Sequence, residues 1–187
     1  GYNLSDKPTQ VSDYKIETLA ADIAALITAL GAEKAIVVGH DCRFAGELFA
    51  HTTAKVFLAH GIKVYLAKGY VSTPMISLGA VKYKTSLGII ITASHNPPTY
   101  NGYKIKAHYG GPLGPELVQE IEDIIPETCS VDFKAVNFDD AKAKGLLLDA
   151  PLEDMYIKHV EDNFDLKAIK NANLNLAYDS MFGAGKN

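Results

Sequence analysis

The stretch Thr92 to Lys106, TASHNPPTYNGYKIK, gathers a serine, a histidine, two asparagines and two lysines just after an apolar run. Ser94 stands two residues past that run, LGIIIT, where a buried strand would end. Pro97 and Pro98 each fix a backbone torsion and stiffen the loop that follows. Gly102 permits the turn into the next segment. If the segments on either side of the loop pair as a hairpin, Lys104 falls near the base of the loop that displays Ser94. A hydroxyl and an ammonium brought together in this way suit group transfer with proton movement. A second polar loop, GHDCRF (Gly39 to Phe44), follows another apolar run and offers His40, Asp41 and Arg43.

Spacing alone leaves plainer readings open. Ser-His-Asn-Pro also makes a turn closed by local side-chain hydrogen bonds. Lysines on an edge strand also guard against edge-to-edge pairing. Arg43 also fits a surface ion pair, and His60 and His108 carry no functional signal. Three other chemistries find no support. Ser94 and His95 are adjacent, so on an extended backbone their side chains diverge, and no Gly-x-Ser-x-Gly elbow is present. No glycine-rich nucleotide loop follows the first strand. Among His40, Asp41 and His95 nothing has the spacing of a zinc site.

The elements that must position these loops alternate. Ile16, Leu19, Ala20, Ile23, Ala24, Ile27 and Leu30 recur at helical spacing, with Gly31 as a stop. AIVVG (Ala35 to Gly39) reads as a buried strand. Phe44, Leu48, Phe49, Val56 and Phe57 mark a helix ending near Gly61. KVYLA is a second strand. Thr73 and Pro74 open a short helix reaching about Val81. LGIIIT is a third strand. Tyr103, Ile105 and Ala107 alternate with Lys104 and Lys106, which predicts a half-exposed strand returning antiparallel to the third. A helix follows over about Glu116 to Ile125. Residues 126–150 are polar and weakly patterned. PLEDMYIKHVEDNF reads as a connector helix, and NLNLAYDSMFGAGKN as a new strand running into a glycine-rich turn. Together these predict a three-layer α/β/α fold whose mixed, mostly parallel sheet carries an antiparallel edge strand. In such sheets ligands bind beyond the carboxyl ends of the strands, where both polar loops lie.

Composition narrows the function classes. The chain has 187 residues, a formal net charge of −4 and two well-separated cysteines, Cys42 and Cys129. The charge gives no electrostatic case for nucleic acid or an anionic membrane. No run is long enough to span a bilayer. The cysteines form no metal or redox motif and are read as reduced, in a cytoplasmic setting.

The loop TASHNPPTYNGYKIK resembles the phosphoserine loop of the α-D-phosphohexomutases, the family of phosphoglucomutase and phosphomannomutase. Ser94, His95, Asn96, Pro97, Asn101, Gly102 and Lys104 all fall on its motif positions. VGHDCRFAGE resembles the family's Gly-Arg-Asp-x-Arg loop, with His40 where arginine is usual. STP before a short helix and YDSMFGAG near the end resemble the next landmarks in order.

The resemblance implies a first domain over 1–170, with its connector helix, and the opening of a second over 171–187. It implies an intramolecular phosphotransferase that interconverts hexose 1-phosphate and hexose 6-phosphate through a hexose bisphosphate. Ser94 would carry the phosphoryl group and, through that phosphate, bind Mg²⁺. Lys104 would move the proton of the sugar hydroxyl, with burial against other cations tuning its pKa. His95 would orient the transfer. Arg43, Asn96 and Asn101 would support the loop or the phosphate. The remaining Mg²⁺ ligands would come from an aspartate-rich loop of the second domain, so this chain by itself would not complete the cycle. A non-catalytic domain that binds sugar phosphate or a partner stands as the alternative. NPPTYNGYK favours the phosphoglucomutase and phosphomannomutase branches over phosphoglucosamine mutase and leaves glucose against mannose or pentose open.

Overall fold

The computed structural model describes residues 35–125, 129 and 131–185, together with Ile16 and Ala20. Ile16 and Ala20 are helical, and the rest of the amphipathic segment from Asp13 to Leu30 lies outside the described residues.

Five strands form one mixed sheet. They are β1 (Ala35–His40), β2 (Lys63–Tyr70), β3 (Leu87–Ile91), β4 (Tyr103–Ala107) and β5 (Leu147–Ala150), in the order β4-β3-β1-β2-β5. β1, β2, β3 and β5 run parallel, and β4 returns antiparallel to β3. All residues of β1 and β3 are buried. Their unbroken apolar character is what a strand covered on both faces requires.

Helix α1 (Gly46–Ala59) covers one face. Its Ala50, Ala54 and Phe57 pack with Ile36, Val38, Val64, Ile89 and Ile91. Helix α2 (Thr73–Lys82) covers the other, where Ile76 and Ala80 meet Val37, Ala67 and Ile90. The two crossovers therefore lie on opposite faces. The first leads from β1 to its neighbour β2, and the second returns past β1 to β3 on its far side. The sheet's topological switch point falls between β1 and β3, the place where such sheets open a ligand crevice. Both polar loops sit at its carboxyl end.

Helix α3 (Pro115–Asp123) follows β4. The segment from 126 to 150, polar and weakly patterned in sequence, holds more order than that pattern suggests. It contains a 3₁₀ turn (Phe133–Ala135), helix α4 (Phe138–Ala143) and the edge strand β5. In β5 the buried residues are Leu147 and Ala150 while Leu148 and Asp149 are exposed, so no alternation marks it. The side chain of Asn137 accepts from the amides of Asp139 and Asp140 and starts α4.

The connector is helix α5 (Leu152–Asn163), followed by α6 (Leu166–Asn171). Leu152 is fully packed against α2, where a side chain at Gly79 would come within 2.9 Å of it. Beyond α6, residues 174–180 form no strand, in contrast to the strand read from their sequence. These residues pair with neither edge strand of the sheet, β4 or β5. Smaller shifts occur at helix starts. Phe44 precedes α1 and is 90% exposed instead of joining its buried face, and Ser72, one residue before Thr73, occupies the cap position of α2.

Candidate active site

At the end of β1 the chain turns through Asp41 to Ala45, and at the end of β3 through Thr92 to Gly102. Arg43 joins the two turns. Its Nη1 donates to the carbonyls of Pro97 and Tyr100 at 3.0 Å each, and its Nη2 to those of Ser94 and Asn96 at 2.6 Å each. The planar guanidinium fork suits this gathering of acceptors as a lysine would not. With both terminal nitrogens committed to carbonyls, Arg43 holds the Ser94 loop, leaving Nε 3.8 Å from the Asp41 carboxylate. Asn101 fastens the same two turns from the other side. Its Nδ2 donates to the Phe44 carbonyl at 3.2 Å, and its Oδ1 accepts from the Gly102 amide at 3.0 Å. Gly102 itself must be small: a Cβ there would lie 2.7 Å from the Thr92 carbonyl.

Ser94 is exposed at the head of this loop with φ of 52°. A left-handed conformation is uncommon for a residue with a side chain and persists where surrounding bonds enforce it. It also brings Ser94 and His95 together. Ser94 Oγ lies 3.5 Å from His95 Nδ1, whereas an extended backbone would have sent the two side chains apart. Asn96 supplies its carbonyl to Arg43 and its amide to the Ala93 carbonyl, so its backbone is what shapes the loop.

Lys104 stands apart from this network. It pairs in register with Ile90, which confirms the hairpin and places it on the α2 face of the edge strand. It is exposed there and is not among the residues that line the cleft around Ser94. The burial against other cations anticipated for it is not found.

The cleft has a volume of about 610 Å³ and is lined by Asp41, Arg43, Phe44, Thr92, Ser94 and the start of α2 at Ser72 and Thr73. The first amides of a helix carry partial positive charge, so α2 presents a favourable end to a phosphate in this space. Two polar residues at the cleft carried no assigned role in the sequence reading. Asp41 Oδ2 accepts from the Thr92 hydroxyl at 2.5 Å, and Oδ1 from the Arg43 amide at 2.9 Å. Thr92 is buried, and its Oγ1 also accepts from the Ser94 amide at 3.2 Å. A buried threonine at a strand end carries no distinctive sequence signal, whereas Asp41 lies inside a recognisable loop.

Residues 5–131 match the family described as phosphoglucomutase/phosphomannomutase, alpha/beta/alpha domain I. The chain belongs to the phosphoglucomutase/phosphomannomutase family. It is 31% identical to a phosphoglucomutase of Staphylococcus haemolyticus, an alignment that covers 95% of this chain and 32% of the relative. It is 39% identical to the phosphoribomutase of Saccharomyces cerevisiae over 59% of this chain and 18% of that protein. A crystal structure of a Thermus thermophilus protein assigned as a phosphomannomutase superposes with a TM-score of 0.72 at 33% identity, covering 82% of this chain and 32% of the other. The chain thus spans about a third of the length of curated phosphoglucomutase/phosphomannomutase relatives.

The fit of this site to Mg²⁺ is limited. Among the described residues no group of three or more histidine, cysteine, aspartate and glutamate side chains converges on one point. The carboxylate beside Ser94, that of Asp41, already accepts from Thr92 and Arg43. Mg²⁺ demands near-octahedral oxygen coordination. From these residues it would gain at most an oxygen of a phosphate on Ser94. No helix of the described residues is long and apolar enough to cross a membrane.

Proposed function

We propose that this chain supplies the phosphoryl-carrying site of a sugar-phosphate mutase, which interconverts the 1-phosphate and the terminal phosphate of an aldose through a phosphoserine and a sugar bisphosphate. Ser94 carries the phosphoryl group. The observation that supports this best is the exposed, left-handed Ser94 at the switch point, in a loop bound by four hydrogen bonds to Arg43. A phosphate there brings a charge of about −1.5 to −2. It faces a cleft onto which the start of α2 opens.

In the forward half-reaction a sugar-phosphate hydroxyl attacks phosphorus. The new P–O bond to the sugar forms as the bond to Ser94 Oγ breaks. Lys104, acting as the free amine, takes the hydroxyl proton and becomes the ammonium, and the departing Oγ takes a proton from the His95 imidazolium, whose Nδ1 lies 3.5 Å from it. The bisphosphate then turns, and the reverse sequence returns its other phosphate to Ser94. Such transfer depends on positioning and charge neutralisation more than on covalent help. Arg43, Asn96 and Asn101 position the loop. A phosphate on Ser94 would offer Mg²⁺ a single oxygen from this chain, and the charge neutralisation the ion would supply would need its other ligands from elsewhere.

Residues 1–170 form the phosphoserine domain and 171–187 open a second. Leu152 is the last buried residue among those described, and the proposed boundary falls in the last turn of α6. A cytoplasmic location agrees with Cys42 and Cys129 being free thiols. The relatives' names span glucose, mannose and ribose phosphates, so hexose phosphate is the first substrate class to test and pentose phosphate the second. The test is a coupled assay of the full-length enzyme on glucose 1-phosphate, mannose 1-phosphate and ribose 1-phosphate, with trace bisphosphate. Turnover that disappears in Ser94→Ala is expected; turnover that survives this substitution overturns the proposal.

A further inference from the structure

We infer that Asp41 and Thr92 act as positioning residues that fix Ser94 in its left-handed conformation by a relay of hydrogen bonds with one permitted direction. The inference rests on the phosphoserine reading above. The Asp41 carboxylate is acceptor-only. The single proton of the Thr92 hydroxyl must therefore point to Asp41 Oδ2, 2.5 Å away. That orientation leaves a lone pair of Thr92 Oγ1 for the Ser94 amide at 3.2 Å. On its other side, the Ser94 carbonyl accepts from Arg43 Nη2 at 2.6 Å. Arg43 in turn is bound to Asp41 at its amide, with Nε 3.8 Å from Oδ2. Both peptide groups of Ser94 are thus secured through neighbours of the same carboxylate.

The rest of Asp41 is occupied as well. Its amide donates to the Ile91 carbonyl at 3.1 Å, and its carbonyl lies 2.8 Å from His40 Nδ1. Each carboxylate oxygen already holds one donor, from Thr92 or Arg43, so a proton or a metal ion taken up by Asp41 would compete with Thr92 or Arg43 and loosen the Ser94 torsion. Thr92 is 5% exposed, and its hydroxyl is committed on both sides, to the Asp41 carboxylate and to the Ser94 amide. A misplacement of reacting groups by an ångström costs on the order of 10²-fold in rate. Loss of the relay should therefore appear in the rate of transfer and leave the ground-state affinity for sugar phosphate nearly unchanged.

The test uses full-length enzyme and four variants: Thr92→Val, Thr92→Ser, Asp41→Asn and the Asp41→Asn/Thr92→Val double. Two readouts are followed: steady-state kcat and KM, and the rate at which glucose 1,6-bisphosphate phosphorylates Ser94 by intact mass. Thr92→Val, which keeps the shape and removes the hydroxyl, should lower both rates by about 10- to 10²-fold with KM within about threefold. Thr92→Ser should recover most of the loss. Asp41→Asn combined with Thr92→Val should lose no more than the worse single variant, since members of one relay are not additive. Independent, multiplicative losses would overturn the inference. So would a Thr92→Val enzyme with wild-type rates, or a loss that Thr92→Ser fails to recover. If Thr92→Val does not fold, the Thr92→Ser and Asp41→Asn pair decides: Asp41→Asn must lower kcat at unchanged KM while Thr92→Ser stays near wild type. A wild-type enzyme that takes no phosphoryl group on Ser94 would instead remove the phosphoserine reading itself.

Discussion

Two exposed regions of this molecule are built in opposite ways. The Ser94 loop is polar, faces solvent and is bound at nearly every turn of its backbone. The stretch from Phe164 to Phe182 is equally exposed but apolar. Phe164, Leu174, Leu176, Tyr178, Met181 and Phe182 are all more than half exposed. Exposure therefore means different things in the two places. In the loop it presents Ser94, the proposed phosphoryl carrier, and hydrogen bonds to Arg43, Asp41 and Asn101 replace the packing that a core would supply. In the later stretch the chain leaves large side chains largely in solvent, although Met181 reaches the rim of the Ser94 cleft. Order in this protein follows from where partners are provided, not from depth below the surface.

The comparison can be broken first at the nucleophile. Ser94→Ala in the full-length enzyme should remove at least on the order of 10³-fold of kcat, as losing a nucleophile does. The next largest effect belongs to the fastener. Arg43→Ala leaves the carbonyls of Ser94, Asn96, Pro97 and Tyr100 without their donor. A loss of on the order of 10²-fold or more in kcat is expected. Arg43→Lys should recover little, because a single ammonium cannot reproduce the fork. Full recovery by lysine would mean that charge alone matters and that the geometry drawn here does not.

Much of this was legible beforehand for physical reasons that differ by region. β1 and β3 announce themselves because a strand covered on both faces must be continuously apolar. The hairpin of β3 and β4 follows from alternation and a short link, and it puts Lys104 opposite Ile90. β5 stayed hidden because four residues with two buried ends show no period. The closeness of Ser94 and His95 was misjudged from sequence, since it depends on a left-handed torsion at Ser94 that distant residues impose. Asp41 and Thr92 lie 51 positions apart, so their pairing is a product of the fold and not of any local motif.

Lys104 sharpens the contrast between bound and unbound groups. It is exposed and lies outside the network, yet the proton transfer proposed for it requires it at the sugar. Lys104→Met should lower kcat by roughly 10²-fold, the usual scale of general acid–base help. Lys106, opposite Gly88 on the same face, should matter much less. Equal losses at the two positions would show that edge-strand charge is what is being measured. In the apolar stretch the expected effects are smaller and concern stability. Phe182→Ser should change the unfolding free energy of this chain by less than about 0.5 kcal/mol. By contrast Ile76→Ala, on the buried face of α2, should cost about 2–5 kcal/mol.

The smallest effect is a pH dependence. Burial holds the His60 imidazole below its ordinary pKa, so the folded protein resists its protonation. The unfolded chain then binds the proton more readily, and the stabilisation is complete above the unfolded value of about 6.5 and declines as pH falls through and below it. Chemical denaturation of His60→Gln should show a shallower fall between neutral pH and mildly acidic pH than the wild type.

The central claim is that one exposed serine, held by the Arg43 fork, carries the phosphoryl group. Peptide mapping of full-length enzyme incubated with a hexose bisphosphate measures it directly. The account predicts one phosphoryl group, on Ser94, and none on the buried Thr92 or on Ser86. Phosphate on either of those residues, or an enzyme that interconverts sugar phosphates while Ser94 stays unmodified throughout, would contradict it.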